Sequence, residues 1–226
     1  MIMRAAIAGM LLLMTPMLRA GEVIDAIAAT VNGHVILQSD WDDEVRYECL
    51  MSGRPVESVS ASDRGAALDR MIEQELLREQ MNAAEFKLAD PGEIDKQLES
   101  LKQAYPTDHN GESWSAAVAR YQLSDDEVRT HVALEFNQLR LVDARLRPSI
   151  QIDSVAVENY YRQQILPTMG SGTEKITLAQ ASPKIREILL QQRMNELLAS
   201  WLDTLRGQAQ IRRFNAGSAA APGQGQ

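Results

Sequence analysis

Two short runs rich in Val, Ile and Ala, within residues 23–31 and 34–37, flank Asn32-Gly33. That dipeptide readily takes the positive φ angles which a two-residue type I′ turn demands. The pattern predicts a β-hairpin with Ile24, Ala26 and Ala28 on one face and Ile27, Ala29 and Val31 on the other. Gln38-Ser39-Asp40 follows, and a Ser or Asp side chain there can accept from the free N–H groups of a helix starting at Trp41. A lone hairpin is marginal in water. Something later in the chain must cover it.

Helical periods dominate the remainder. After a polar loop at 52–63, Ala67, Leu68, Met71, Ile72, Glu75, Leu76 and Met81 recur at helical spacing across 64–86. Asp90-Pro91-Gly92-Glu93 supplies an N-cap, a first-turn Pro and an acid for a helix through Ala104. Residues 113–120 form a short helix, and Ser124 with Glu127 makes a capping box. That box opens a long helix whose apolar face runs through Val128, Val132, Phe136, Leu139, Val142 and Leu146 until Pro148. A two- to three-turn helix begins after Asp153, breakers fill 166–175, and Ser182-Pro183 caps a last helix ended by Gly207. Residues 210–214 are β-prone, and the uncharged Ala, Gly, Ser, Pro and Gln tail at 216–226 reads as disordered. The fold class that follows is mainly α with a small β-sheet: an N-terminal β-hairpin plus helices, completed by a long C-terminal helix and strand.

Residues 1–20 change how the composition is read. Arg4, an apolar run from Ala5 to Met14, Pro16 and a small Ala20 form the pattern of a cleavable secretory signal, and the run is shorter than the roughly 20 residues a membrane-spanning helix needs. The mature chain is then expected in the periplasm. Its removal takes five of the 10 Met, so the Met content marks no binding surface. Removal of Arg4 and Arg19 leaves 21 bases against 31 acids, a net charge of -10. Such a balance argues against nucleic acid as a partner, because phosphate binding needs a basic excess. Cys49 is the single cysteine, so an exported chain has no internal disulfide and rests on its apolar core.

No motif reads as an active site. Asp42-Asp43-Glu44 and Asp125-Asp126-Glu127 fall in first helical turns, where acids favour the macrodipole. His34, His109 and His131 lack local metal-ligand spacing. Gly170-Ser171-Gly172 has neither a third glycine nor a preceding strand, and no Gly-x-Ser-x-Gly occurs. No cofactor or metal is therefore assigned.

The order of elements carries a resemblance. Residues 31–40 (VNGHVILQSD), the helix with DRMIEQELLREQM, the segment ESWSAAVARYQLSDDEVRTHV and the ending WLDTLRGQAQIRR together look like the SurA family of periplasmic chaperones. The likeness spans 23–166 and 177–214, halves of one discontinuous core domain within 21–215. It implies a core in which the N-terminal segment combines with the last helix and strand. In that family parvulin-type prolyl isomerase domains are inserted between the two halves. Here only 166–175 joins them, whereas an independent domain needs on the order of 100 residues. The resemblance therefore implies a chaperone without the enzyme, binding unfolded or extended envelope proteins, typically outer-membrane β-barrel precursors. Aromatics outside the helical stripes, namely Tyr105, Trp114 and Tyr121, are the candidate client contacts, with local core plugs as their alternative role. The rival class is an envelope scaffold whose amphipathic helices engage one fixed partner or form a homodimer.

Overall fold

A computed structural model describes residues 25–105, 113–168 and 176–214. The signal segment, His109 and the tail at 216–226 lie outside the described residues, as does most of the connection at 166–175. The hairpin forms as its turn demands: strand β1 (Ile27–Val31) pairs antiparallel with β2 (His34–Leu37) across Asn32 and Gly33, with φ of 49° and 90°. After the last helix the chain returns as β3 (Ile211–Arg213), antiparallel to β1, giving the order β2-β1-β3. Asn32 serves both the turn and this closure. Its N–H donates to the Gln210 carbonyl at 3.0 Å, its Oδ1 accepts from the Gln210 N–H at 2.8 Å, and its Nδ2 donates to Glu79 at 2.7 Å. A register shift between Ile27 and Ala29 breaks the strict alternation expected of β1. Ala28 and Ala29 are both buried while Ile27 is exposed, so Ile27 does not share the inner face of Ala29 and Val31.

Helix α1 (Gln38–Ser52) begins three residues before the position expected from sequence. Its first N–H groups are satisfied from elsewhere: Asp25 accepts from the Ser39 N–H and hydroxyl, and Asp40 accepts from the Leu37 N–H at 3.2 Å. Gly53, at φ 67°, ends it. Helix α2 (Ala61–Ala83) is capped by Ser60 and Asp63, and backbone and side-chain bonds from Ser60 hold the Asp63 carboxyl down at about 2. Then come α3 (Pro91–Ala104), α4 (Trp114–Arg120) capped by Ser113, and α5 (Asp125–Leu146) with its Ser124–Glu127 box. Helix α6 (Ser154–Tyr160) widens into a π turn over Tyr161–Ile165.

Helix α7 (Leu178–Gln208) starts at a Thr177–Gln180 capping box and carries Pro183 inside it, so Ser182-Pro183 is not its cap. Pro183 removes a single N–H and the carbonyl bond that would belong to it. The Ser182 hydroxyl donates to the Leu178 carbonyl at 2.6 Å beside the gap. The 31 residues span roughly 46 Å.

Helix α2 is the spine of the packing. Leu68, Ile72 and Leu76 meet Ala28, Ala29, Val31 and Ile36 of the sheet, together with Leu141 and Leu205. Trp201 and Leu202 pack on the same cluster. Ala67 faces the opposite way, into a helical core of Val45, Leu50, Ile94, Val118 and Val128. A third cluster joins α5 to α7 through Val142, Leu146 and Met194. Polar pairs hold the closing segment to α2: Arg206 binds Glu73 at 2.8 Å and Arg213 binds Asp69. The apolar face of α5 is narrower than its spacing suggests. Leu139 is 67% exposed, and Leu141 takes the inward position.

A chain ending at Leu205 loses β3, the Asn32 clamp and both arginine pairs. It should melt more than about 10 °C below a chain ending at Phe214, a loss of several kcal/mol at this size. Equal melting temperatures in a thermal scan would show that β3 does not hold the sheet.

Candidate functional site

A groove of about 570 Å³ runs between β2 and the first turns of α1 and α5, with α2 beneath it. Ile36, Met71 and Leu134 give it apolar side chains, Val35 lies along its edge, and Asp40, Asp43, Asp126 and Glu127 stand around it. These acids reach the groove because α1 and α5 both present their N-terminal turns there, where acids complement the helix dipole. The Ser124 N–H and hydroxyl bind Glu127 and hold its carboxyl below the usual range. Burial pushes the Asp43 carboxyl up, against the opposing attraction of Arg46.

A buried polar network braces the walls. Glu44 is 4% exposed, and its carboxylate meets His131 of α5 at 3.2 Å and accepts from the Gln74 amide of α2 at 3.2 Å. One carboxylate on α1 thereby links three helices. The His131 ring stacks on Tyr47, centroids 4.3 Å apart and planes 9° apart. The Tyr47 hydroxyl donates to Glu135 at 3.2 Å, and burial raises both that phenol and the Glu135 carboxyl above their ordinary values. At the β2 end, Arg78 donates to both oxygens of buried Glu75, each at 2.7 Å, and contacts His34 Nδ1 at 2.9 Å. Buried charges are retained only when paired in this way. The Glu44 and Tyr47 bonds run between helices and the Arg78–His34 contact joins α2 to β2, so the network fixes the shape of the groove.

Sequence spacing did not reveal this assembly. His34 and His131 are 97 positions apart yet line one groove, and Asp43-Glu44 and Asp126-Glu127 come together across it. Glu75 was the available signal. It sits within the apolar stripe of α2, and a charge on a buried stripe requires partners. Among the described residues no group of three or more His, Cys, Asp or Glu is arranged to hold a metal ion.

The aromatics singled out from sequence lie elsewhere, in the helical core. Tyr121 is 2% exposed, and its hydroxyl donates to the Arg54 carbonyl at 3.0 Å. Tyr105 is buried edge-on to the half-buried Trp114, centroids 5.2 Å apart. Together they fill the junction of α3, α4 and α1, so in this conformation they are core plugs and not a client surface. A second groove, between α5 and α7, is lined by Phe86, Leu139, Val142, Met194 and Leu198 with Arg140 and Arg147 at its side. Among the described residues no helix is long and apolar enough to cross a membrane. No protein-family model matches the chain, and no curated protein matches it.

The two classes of position separate in a denaturant titration. Tyr121→Ala should destabilise by about 3–5 kcal/mol, as for large buried aromatics, whereas Leu139→Ala should stay within about 0.5 kcal/mol. A tolerated Tyr121→Ala would return that residue to the list of surface contacts.

Proposed function

We propose that the protein is a periplasmic chaperone that holds unfolded outer-membrane β-barrel precursors and has no prolyl isomerase activity. The observation that carries this reading is the open groove beside β2, with its apolar side chains, kept in shape by a buried polar network. Such a surface can accept side chains and backbone of an extended chain and release them again without a nucleotide. The SurA-like segments at 31–40 and 201–213 support the same reading, since they supply the hairpin and the closing helix and strand. The net negative charge keeps the carrier soluble while apolar surface is open.

A second reading, a scaffold with one dedicated partner, draws on the groove between α5 and α7. There Leu139 projects beside Phe86, Met194 and Leu198, a surface suited to a single apolar helix.

Light scattering distinguishes the two. Several unrelated barrel proteins, diluted from denaturant, should aggregate less in the presence of the chain, and protection of one protein alone would favour the scaffold. In a proline-limited refolding assay the slow phase should keep its uncatalysed time, tens to hundreds of seconds. Acceleration in proportion to the amount of chain added would contradict the non-enzymatic reading.

A further inference from the structure

We propose that the groove takes its occupant as a fourth strand: an extended polypeptide segment bearing a cationic side chain, paired along the free edge of β2. This rests on the reading of the protein as a carrier of unfolded chains, and adds where and how such a segment is held.

The backbone of β2 has one edge available. In the order β2-β1-β3 its inner side is taken by β1. Val31 and His34 flank a two-residue turn and exchange both ladder bonds, so the next pair, Thr30 and Val35, does not. The N–H and carbonyl of Val35 therefore point away from β1, and among the described residues no side chain or loop bonds to either. The next outward donor, the Leu37 N–H, is already taken by Asp40. A donor and acceptor on one residue admit one register.

The edge also lacks the usual protection. Neither Pro nor Lys occurs in HVIL, no described element pairs with its outer side, and Val35 is 38% exposed. Four residues give a rail about 13 Å long. In an added strand the residue opposite Val35 would turn its side chain away from α2, as Val35 does. Its two neighbours would turn theirs toward Met71 and Leu134, so apolar residues belong at alternate positions.

Charge selects among extended segments. Asp40, Asp126 and Glu127 border the groove without an ion-pair partner among the described residues. Arg78, the arginine of the lining, is engaged by both oxygens of Glu75. Asp40 and Glu127 accept capping hydrogen bonds, and Arg46 and His131 attract Glu127, but among the described residues no salt bridge neutralises these acids. A cation on the incoming strand therefore meets a net negative border, and an anion meets repulsion.

The test uses the full chain and synthetic eight-residue peptides of alternating Val and Thr with one central Lys or one central Glu. Fluorescence anisotropy should give the Lys peptide an affinity at least about tenfold above its Glu counterpart. Asp126→Asn should narrow that ratio. Val35→Pro removes the outward N–H, fixes φ and replaces the isopropyl group while leaving the ladder pairs at 34 and 36. It should weaken binding about tenfold or more, compared with Val35→Ala, which keeps the N–H and should bind normally. Methylating alternate backbone nitrogens of the peptide probes the same bonds without touching the protein: one methylation register should abolish binding and the other should not. On saturation, exchange of the Val35 amide, followed by NMR, should slow about tenfold or more.

Equal binding of the Lys and Glu peptides, or an unchanged Val35 amide in the complex, overturns the proposal. If barrel precursors are still kept from aggregating, the carrier reading survives and only this site is wrong. If neither protection nor peptide binding occurs, both fall. Protection of the Val35 amide that rises with protein concentration in the absence of peptide would mean that β2 pairs with a second copy, which also overturns the proposed occupant.

Discussion

A two-stranded hairpin has two faces and two edges to satisfy, and the architecture follows from how this one is covered. Helix α2 takes the inner face with Leu68, Ile72 and Leu76, and β3 takes the edge of β1. Because β3 arrives from the far end of the chain, closure joins positions some 180 residues apart. Local propensity cannot hold three residues there. Asn32, Arg206 and Arg213 do so, by binding the backbone of Gln210 and the acids Glu73 and Asp69. Helix α7 is buried only at intervals, at Ile185, Met194 and Leu205, with Leu197, Leu198, Trp201 and Leu202 packed beside them.

The edge that closure leaves open is the one beside the groove. Glu44 links α1, α2 and α5 below it, and Glu75 with Arg78 fixes α2 at the β2 end. These groups are buried and paired, so their main effect is on shape. Removing one partner would leave a charge without compensation, which is more damaging than the pair is stabilising. Apolar side chains, bordering carboxylates and free backbone groups are the elements that the proposed binding of an extended chain would use.

Much of the fold was legible in the sequence. Asn32-Gly33 dictated the hairpin, the Asp90–Glu93 and Ser124–Glu127 boxes gave helix starts within a residue, and the unsatisfied hairpin pointed to a strand near 210–214. The misplaced starts have separate causes, a distant acceptor for α1 and an overlooked local capping box for α7. For α1 the acceptor is Asp25, 14 residues before Ser39. For α7, Thr177 outcompetes the Ser182-Pro183 pair because one missing N–H does not stop an otherwise bonded helix. The site was less legible. Sequence left Tyr105, Trp114 and Tyr121 open between client contacts and core plugs, and they fill the gaps among short helices that carry few large apolar residues of their own. The groove depends on bringing together residues 34–36, 71–78 and 126–134, and only Glu75 on an apolar stripe hinted at it.

The central claim is that an unfolded client lies in the groove beside β2. Photocrosslinking tests it most directly: a benzophenone side chain is placed in turn at positions 35, 134, 139 and 155, and each protein is irradiated with a denatured barrel precursor. Positions 35 and 134 line the groove, 139 marks the α5–α7 groove, and Val155 is exposed on α6. The account predicts adducts from 35 and 134 and few from 139 or 155. Adducts confined to 139 or 155, with none at 35 and 134, would contradict it.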